Sequence, residues 1–229
     1  MECQRRKTRN KIWKEYDPFA GFPIDTAKID AQGWQSQHRF LADSVQKLRP
    51  TIIVEVGVWK GGSAIEMAKA LKEHQIDGAV IAVDTWLGAW DHWLDPLWHK
   101  DLGFEFGYPT LFKVFIANVI SNNLQDYIIP MPLDSANAAA VIEKNGLNPD
   151  VVHIDAAHDY SSAWRDITTW WELLRPGGVI LIDDFNIEGH CWPGVFQAVN
   201  EFRSRFEIEN FESEGLKCRF SKPSLLKVG

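Results

Sequence analysis

"TIIVEVGVWKGGS", residues 51–63, decides the fold. Its first six residues are β-branched apart from Glu55, a run of the length and type that fills a buried strand. Glycine then recurs at Gly57, Gly61 and Gly62, and Ala64, Ile65, Ala68 and Leu71 follow at helical spacing. Ser63 and Glu66 have the spacing of a capping box at the start of that helix. A strand that turns on glycine into a helix opens a βαβ unit.

Outward from this stretch the same rhythm repeats. "AVIAVD" (79–84), "VVHID" (151–155) and "VILID" (179–183) read as central strands, and "YIIPMP" (127–132) as an edge strand because Pro130 and Pro132 cannot donate to a ladder. Trp164, Ile167, Trp171 and Leu174 mark a helix from Ser161 to Leu174, stopped by Pro176-Gly177-Gly178. "FEIENF" (206–211) and "LKCRF" (216–220), separated by "ESEG", predict an antiparallel hairpin. Residues 26–48 read as a helix with Phe40, Leu41, Val45 and Leu48 on one side. The expectation is an α/β fold: a doubly wound, Rossmann-like sheet of seven strands, mostly parallel with a C-terminal antiparallel hairpin, helices on both faces.

The 229 residues, 45% of them apolar, suit one generous domain, here 26–229. The net charge of −7, from 24 basic and 31 acidic residues, disfavours a nucleic-acid surface. Arg5, Arg6, Lys7, Arg9, Lys11 and Lys14 make residues 1–25 a basic arm that reads as solvated and flexible. That arm lacks the apolar core of a signal peptide, and no segment is apolar and long enough to span a bilayer. Cys3, Cys191 and Cys218 are few and scattered, which suits a reducing, cytoplasmic setting.

In a doubly wound sheet, ligands settle beyond the carboxyl ends of the strands. A dinucleotide fingerprint needs glycine two positions after the first, where Trp59 stands, and no P-loop ending follows. The turn is therefore read as one for a nucleoside without a phosphate chain, a description that S-adenosylmethionine fits. The Glu55-x-Gly57-x-x-x-Gly61 pattern, with Ser63 beyond it, resembles motif I of class I methyltransferases. That resemblance implies glycines beside the methionine moiety, Asp84 on the ribose hydroxyls, and the Asp134-Ser135 segment at the adenine.

The fourth strand ends at Asp155 and the fifth at Asp183-Asp184, so three carboxylates should converge beside the cofactor. Uncompensated they repel, and an all-oxygen set favours Mg²⁺, Mn²⁺ or Ca²⁺. "IDAAHDY…LRPGGVILIDDF" is similar to the metal-dependent O-methyltransferases of the catechol and macrolide-sugar types, whose metal ligands fall at Asp155, Asp183 and Asp184. The catechol type usually has asparagine at the last of these. His158 stands where that type places a lysine base and where the sugar-modifying relatives have histidine. The chemistry this implies is methyl transfer to a hydroxyl of a small molecule, a natural-product sugar or a catechol-like ring. His153 reads as a core histidine and Asp159 as a helix cap.

Other readings stay open. Some relatives are labelled cephalosporin hydroxylases, and His153-x-Asp155 with His190 has the order of a 2-His-1-carboxylate iron site; a non-catalytic binder of the cofactor is a further one. Trp86, Trp90, Trp93 and Trp98 in the Trp-rich insertion 85–112 could wall the acceptor, and His190, Cys191 and Trp192 beyond the fifth strand could border it. The insertion could equally pack the protein, including against a second copy in a homo-oligomer. "GWQSQH" (33–38) could close over the methionine end.

Overall fold

The computed structural model describes residues 2–30, 32–33, 36–186 and 192–224. The chain opens with α1 (Gln4–Trp13) and α2 (Arg39–Leu48), then β1 (Ile52–Val56), α3 (Gly62–Glu73) and β2 (Ala79–Val83). An excursion follows: α4 (Trp90–Leu94), α5 (Pro96–Leu102) and the short hairpin β3 (Phe104–Glu105) and β4 (Tyr108–Pro109). Next come α6 (Leu111–Ser121), β5 (Ile128–Met131), α7 (Ser135–Lys144), β6 (Val151–Ile154), α8 (Tyr160–Leu173) and β7 (Val179–Ile182). The C-terminal part holds α9 (Pro193–Arg205), β8 (Glu209–Glu214) and β9 (Lys217–Ser221). Among the described residues, no helix is long and apolar enough to cross a membrane.

Seven strands form one sheet in the order β5-β2-β1-β6-β7-β9-β8. The first five pair in parallel and β9 joins β7 and β8 antiparallel, as the sequence predicts. The alternation of each strand feeds two cores. Ile52, Val54 and Val56 pack with α7, α8 and α9, whereas Ile53, Val80 and Leu181 pack with α2, α3 and α6. Two covered faces explain the near-continuous apolar strands.

Strand β5 lies at the edge, where Pro130 is tolerated. The opposite edge, β8, is rich in glutamate and almost wholly exposed, a common guard against edge-to-edge pairing.

Four expectations require correction. The basic arm is helix α1 and is tied down: the Trp13 indole donates to the Pro130 carbonyl at 2.8 Å, Gln4 N–H donates to Asp77 at 2.7 Å, and Arg5 lies 4.1 Å above the Tyr127 ring. The helix read over 26–48 begins only at Arg39, capped by His38; a short 3₁₀ turn, Ile24–Thr26, lies ahead of it, and the other described residues from 27 to 38 are not helical. Helix α3 has no capping box: Gly61, at φ +94°, is its N-cap, and Ser63 turns inward instead. In the hairpin, β8 runs through Glu214 and the turn falls at Gly215, because an exposed edge strand has no apolar alternation to read.

Candidate active site

A cleft of about 620 Å³ opens beyond the carboxyl ends of β1, β2 and β6. Of the cofactor residues expected from sequence, Gly57, Ser63, Asp84, Ser135 and Asp155 line it, while Glu55 and Gly61 do not. Gly57 has a steric reason of its own. A Cβ there would lie 1.8 Å from the Asp155 carbonyl oxygen, so the tips of β1 and β6 can meet only over glycine.

Asp84 organises the turn. One of its carboxylate oxygens accepts from the Val58 and Trp59 amides at 2.8 and 2.9 Å, the other from the Trp86 amide at 2.7 Å. The Ser135 hydroxyl donates to Asp166 at 2.6 Å and accepts from the Trp170 indole at 2.9 Å.

Beneath the cleft runs a buried polar row. Strand parity places Glu55, His153, Asp183 and Lys217 on the face covered by α2 and α3. Glu55 and His153 are 0% exposed, Lys217 is 0% exposed, and Asp183 is 5% exposed. Ser63 donates to Glu55 Oε1, which also meets His153 Nδ1 at 3.0 Å. Lys217 Nζ lies 3.1 Å from His153 Nε2 and is ion-paired with Asp183 Oδ2.

An ammonium only donates, so Nε2 of His153 must accept and Nδ1–H must donate to Glu55. Burial, with the Lys217 charge beside it, holds His153 well below the usual imidazole range. Burial also pushes the Glu55 carboxyl up to about 8, against the Ser63 bond and the Lys217 charge. Asp155 is raised by burial and then by Asp183.

On the acceptor side, His158 Nε2 is 3.0 Å from Asp184 Oδ2, and its ring stacks on Trp192 with centroids 3.9 Å apart. Asp184 sits at φ +59°, a strained turn that swings its carboxylate toward His158. Asp159 caps α8 through the Ser162 amide at 3.0 Å, as expected, and its hydrogen bonds from Ser161 and Ser162 hold it down at about 2.

Residues 54–185 match the methyltransferase-domain family. The chain belongs to that family. Over 184 residues it is 25% identical to demethyldecarbamoylnovobiocin O-methyltransferase of Streptomyces niveus, covering 69% of the chain and 60% of the relative. It is 27% identical over 154 residues to an uncharacterised protein of Sinorhizobium fredii, covering 67% of the chain and 15% of that protein. The chain therefore spans less than two thirds of either curated relative. Its fold is similar to that of the O-methyltransferase TomG from Streptomyces achromogenes, solved with S-adenosylmethionine: TM-score 0.61 at 14% identity, covering 98% of the chain and 91% of TomG.

The aromatic wall keeps part of the set read in sequence. Trp86 is 2% exposed, locked in the core by Phe112 and Phe115 with its indole donating to the Trp59 carbonyl. Trp90 and Trp93 face outward at 72% and 45% exposure. Trp98 and Trp192 line the cleft as expected, joined by Trp59 and His92. Gly33 and Ser36 of the 33–38 segment also line it. Trp34, Gln35, His190 and Cys191 lie outside the described residues.

The three-carboxylate metal set is only partly assembled. Among the described residues, the ligand atoms that gather within 4.8 Å belong to His153, Asp155 and Asp183; Asp184 is not among them. Both His153 nitrogens are engaged, by Glu55 and Lys217, so His153 has no free nitrogen to offer the iron triad read with Asp155 and His190. Asp183 is committed too, one oxygen to Lys217 and the other to the Asp184 amide at 2.9 Å. A fixed cation on Asp183 repels a second one, by several kcal/mol for a divalent ion about 5 Å away at an effective dielectric near 20. The donor set does not fit a divalent ion held by Asp155, Asp183 and Asp184.

Sequence reading missed Lys217. In "LKCRF" the alternation gives two sets, Lys217 with Arg219 and Cys218 with Phe220, and the basic set reads as the solvent face. Strand β9 is interior, covered on both faces, so the basic set is buried as well.

Proposed function

We propose that this protein is an S-adenosylmethionine-dependent O-methyltransferase that methylates a hydroxyl of a small molecule. The observation that carries the reading is the His158–Asp184 pair, 3.0 Å apart, opening on the same cleft as Gly57, Asp84 and Asp155. The cofactor bound in TomG and the O-methyl transfer named for the Streptomyces niveus relative support it.

The cofactor's sulfonium is an activated electrophile, so the protein's task is to make an alcohol nucleophilic. In the reaction, the acceptor oxygen bonds to the methyl carbon as the carbon–sulfur bond breaks, and the hydroxyl proton passes to His158. With Nε2–H donated to Asp184, Nδ1 is the nitrogen that receives it, as in other base-and-orienter pairs. Asp84 has about four acceptor sites and uses three on the turn, leaving one for a ribose hydroxyl. Trp59, Trp98 and Trp192 supply flat apolar surface suited to a sugar or an aromatic acceptor. A divalent ion, which the resemblance to catechol-type enzymes implies, has no step in this scheme.

Calorimetry should show binding of S-adenosylmethionine. A screen of sugar and catechol hydroxyls with methyl-labelled cofactor should yield transfer that falls about 10²–10⁴-fold in His158→Gln, with cofactor affinity retained. Preference for NAD over S-adenosylmethionine would defeat the cofactor assignment, and full activity in His158→Gln would defeat the base.

A further inference from the structure

We propose that Lys217 is a built-in cation: its ammonium holds Asp183 where a divalent ion would otherwise be required, so the cleft works without a metal. The inference rests on reading Asp155 and Asp183 as the carboxylates beside the acceptor.

Lysine is almost never fully buried unless paired, yet Lys217 is 0% exposed in an interior strand. Its position follows from register. In the β7–β9 pairing Ile182 faces Cys218, which sets Lys217 beside Asp183, one residue beyond the end of β7. A slip of one residue would turn the side chain to the other face.

Two acceptors take the ammonium: the Asp183 carboxylate and, at 3.1 Å, Nε2 of His153. His153 is braced in turn by Glu55, and Glu55 by Ser63 of the cofactor turn. The charge is thus fixed from two sides. Mg²⁺ would need oxygens at about 2.0–2.1 Å in near-octahedral geometry. Oδ2 of Asp183 is ion-paired with Lys217 and Oδ1 already accepts from the Asp184 amide, so an arriving cation would meet the Lys217 charge at this carboxylate.

Asp184, released from any ligand role, is the partner of His158. Lys217 does not reach the cleft, so it is a positioning residue that acts through Asp183. The transfer balances without a metal: the methyl goes to oxygen, the electron pair of the carbon–sulfur bond goes to sulfur, and the proton goes to His158.

The test is a Mn²⁺ titration of the full chain followed by electron paramagnetic resonance, with and without S-adenosylmethionine. The wild-type protein should leave the free-ion signal undiminished up to about 1 mM. Lys217→Gln, which keeps a donor while removing the charge, and Lys217→Met should each take up a single Mn²⁺, lost again when Asp183→Asn is added. The thermal midpoint of these variants should rise with Mn²⁺ while that of the wild type and of Lys217→Arg stays put.

Uptake of Mn²⁺ by the wild type that disappears in Asp183→Asn would overturn the proposal. So would folded Lys217→Gln that takes up none. Calorimetry on the same samples separates the two readings: failure to bind S-adenosylmethionine would remove the assigned function and leave the Mn²⁺ result standing.

Discussion

Glu55 shows how one buried residue sets a pH dependence. Its ordinary value is near 4.5 and burial raises it to about 8, so between those values the folded chain holds a proton that the unfolded chain has lost. Stability therefore falls as pH rises through that window, by at most about 1.4 kcal/mol per pH unit. Thermal midpoints measured from pH 5 to 8 should decline more steeply in the wild type than in Glu55→Gln, which has no proton to release. Equal slopes would show that Glu55 is ionised in the fold. Motif resemblance assigns Glu55 to the cofactor, but its side chain points away from the cleft, toward Ser63 and His153. The spacing of a motif locates its backbone, whereas strand parity decides which way a side chain points. Parity could be counted from sequence, but which face stays dry depends on helices that come later in the chain. His153 and Asp159 were legible because a histidine inside an apolar strand and an aspartate before a helix each have a local physical reason.

At the scale of elements, α1 shows what charge counting omits. Six basic residues suggest a frayed arm, yet the contact that anchors it is Trp13 on the Pro130 carbonyl, which no local pattern announces. Trp13→Ala should cost roughly 2 kcal/mol, from lost apolar burial and the lost hydrogen bond. Deleting residues 1–14 should go further, lowering the thermal midpoint and speeding hydrogen exchange along β5, whose outer edge it would leave unattended. Unchanged exchange at Ile128 and Ile129 would mean that α1 merely rests on the surface. The parallel strands were the most readable elements, since a strand buried on both faces must be apolar along its whole length. The lid tryptophans were the least readable. Trp86, Trp90, Trp93 and Trp98 share one composition signal, but of these Trp98 alone lines the cleft, while the ring that stacks on His158 is Trp192, between β7 and α9.

Across the whole molecule, the cleft gathers residues from the tips of the first, second and fourth parallel strands, above a buried lysine from the C-terminal hairpin. A ligand that fills it should stabilise the entire fold. S-adenosylmethionine at about 100 times its Kd should contribute about 2.7 kcal/mol, a rise in thermal midpoint of roughly 5–10 °C for a domain of this size. A flat midpoint across the titration would count against the cleft as the cofactor site. The alternation of strands and helices, the glycine turn at Gly57 and the acidic tips at Asp155 and Asp183 are properties of the parallel half, and these were readable. The charge balance at those tips was not, because it is closed by a residue 34 positions after Asp183.

That separation bears on how the protein is made. During synthesis, β1 to β7 leave the ribosome first, and their acidic tips come together with no positive partner inside. Until Lys217 emerges, Asp155 and Asp183 can be buried only by taking up protons or by staying wet. The parallel half should therefore remain loose until β9 arrives, and that late strand is the one that lets the centre of the sheet dry out.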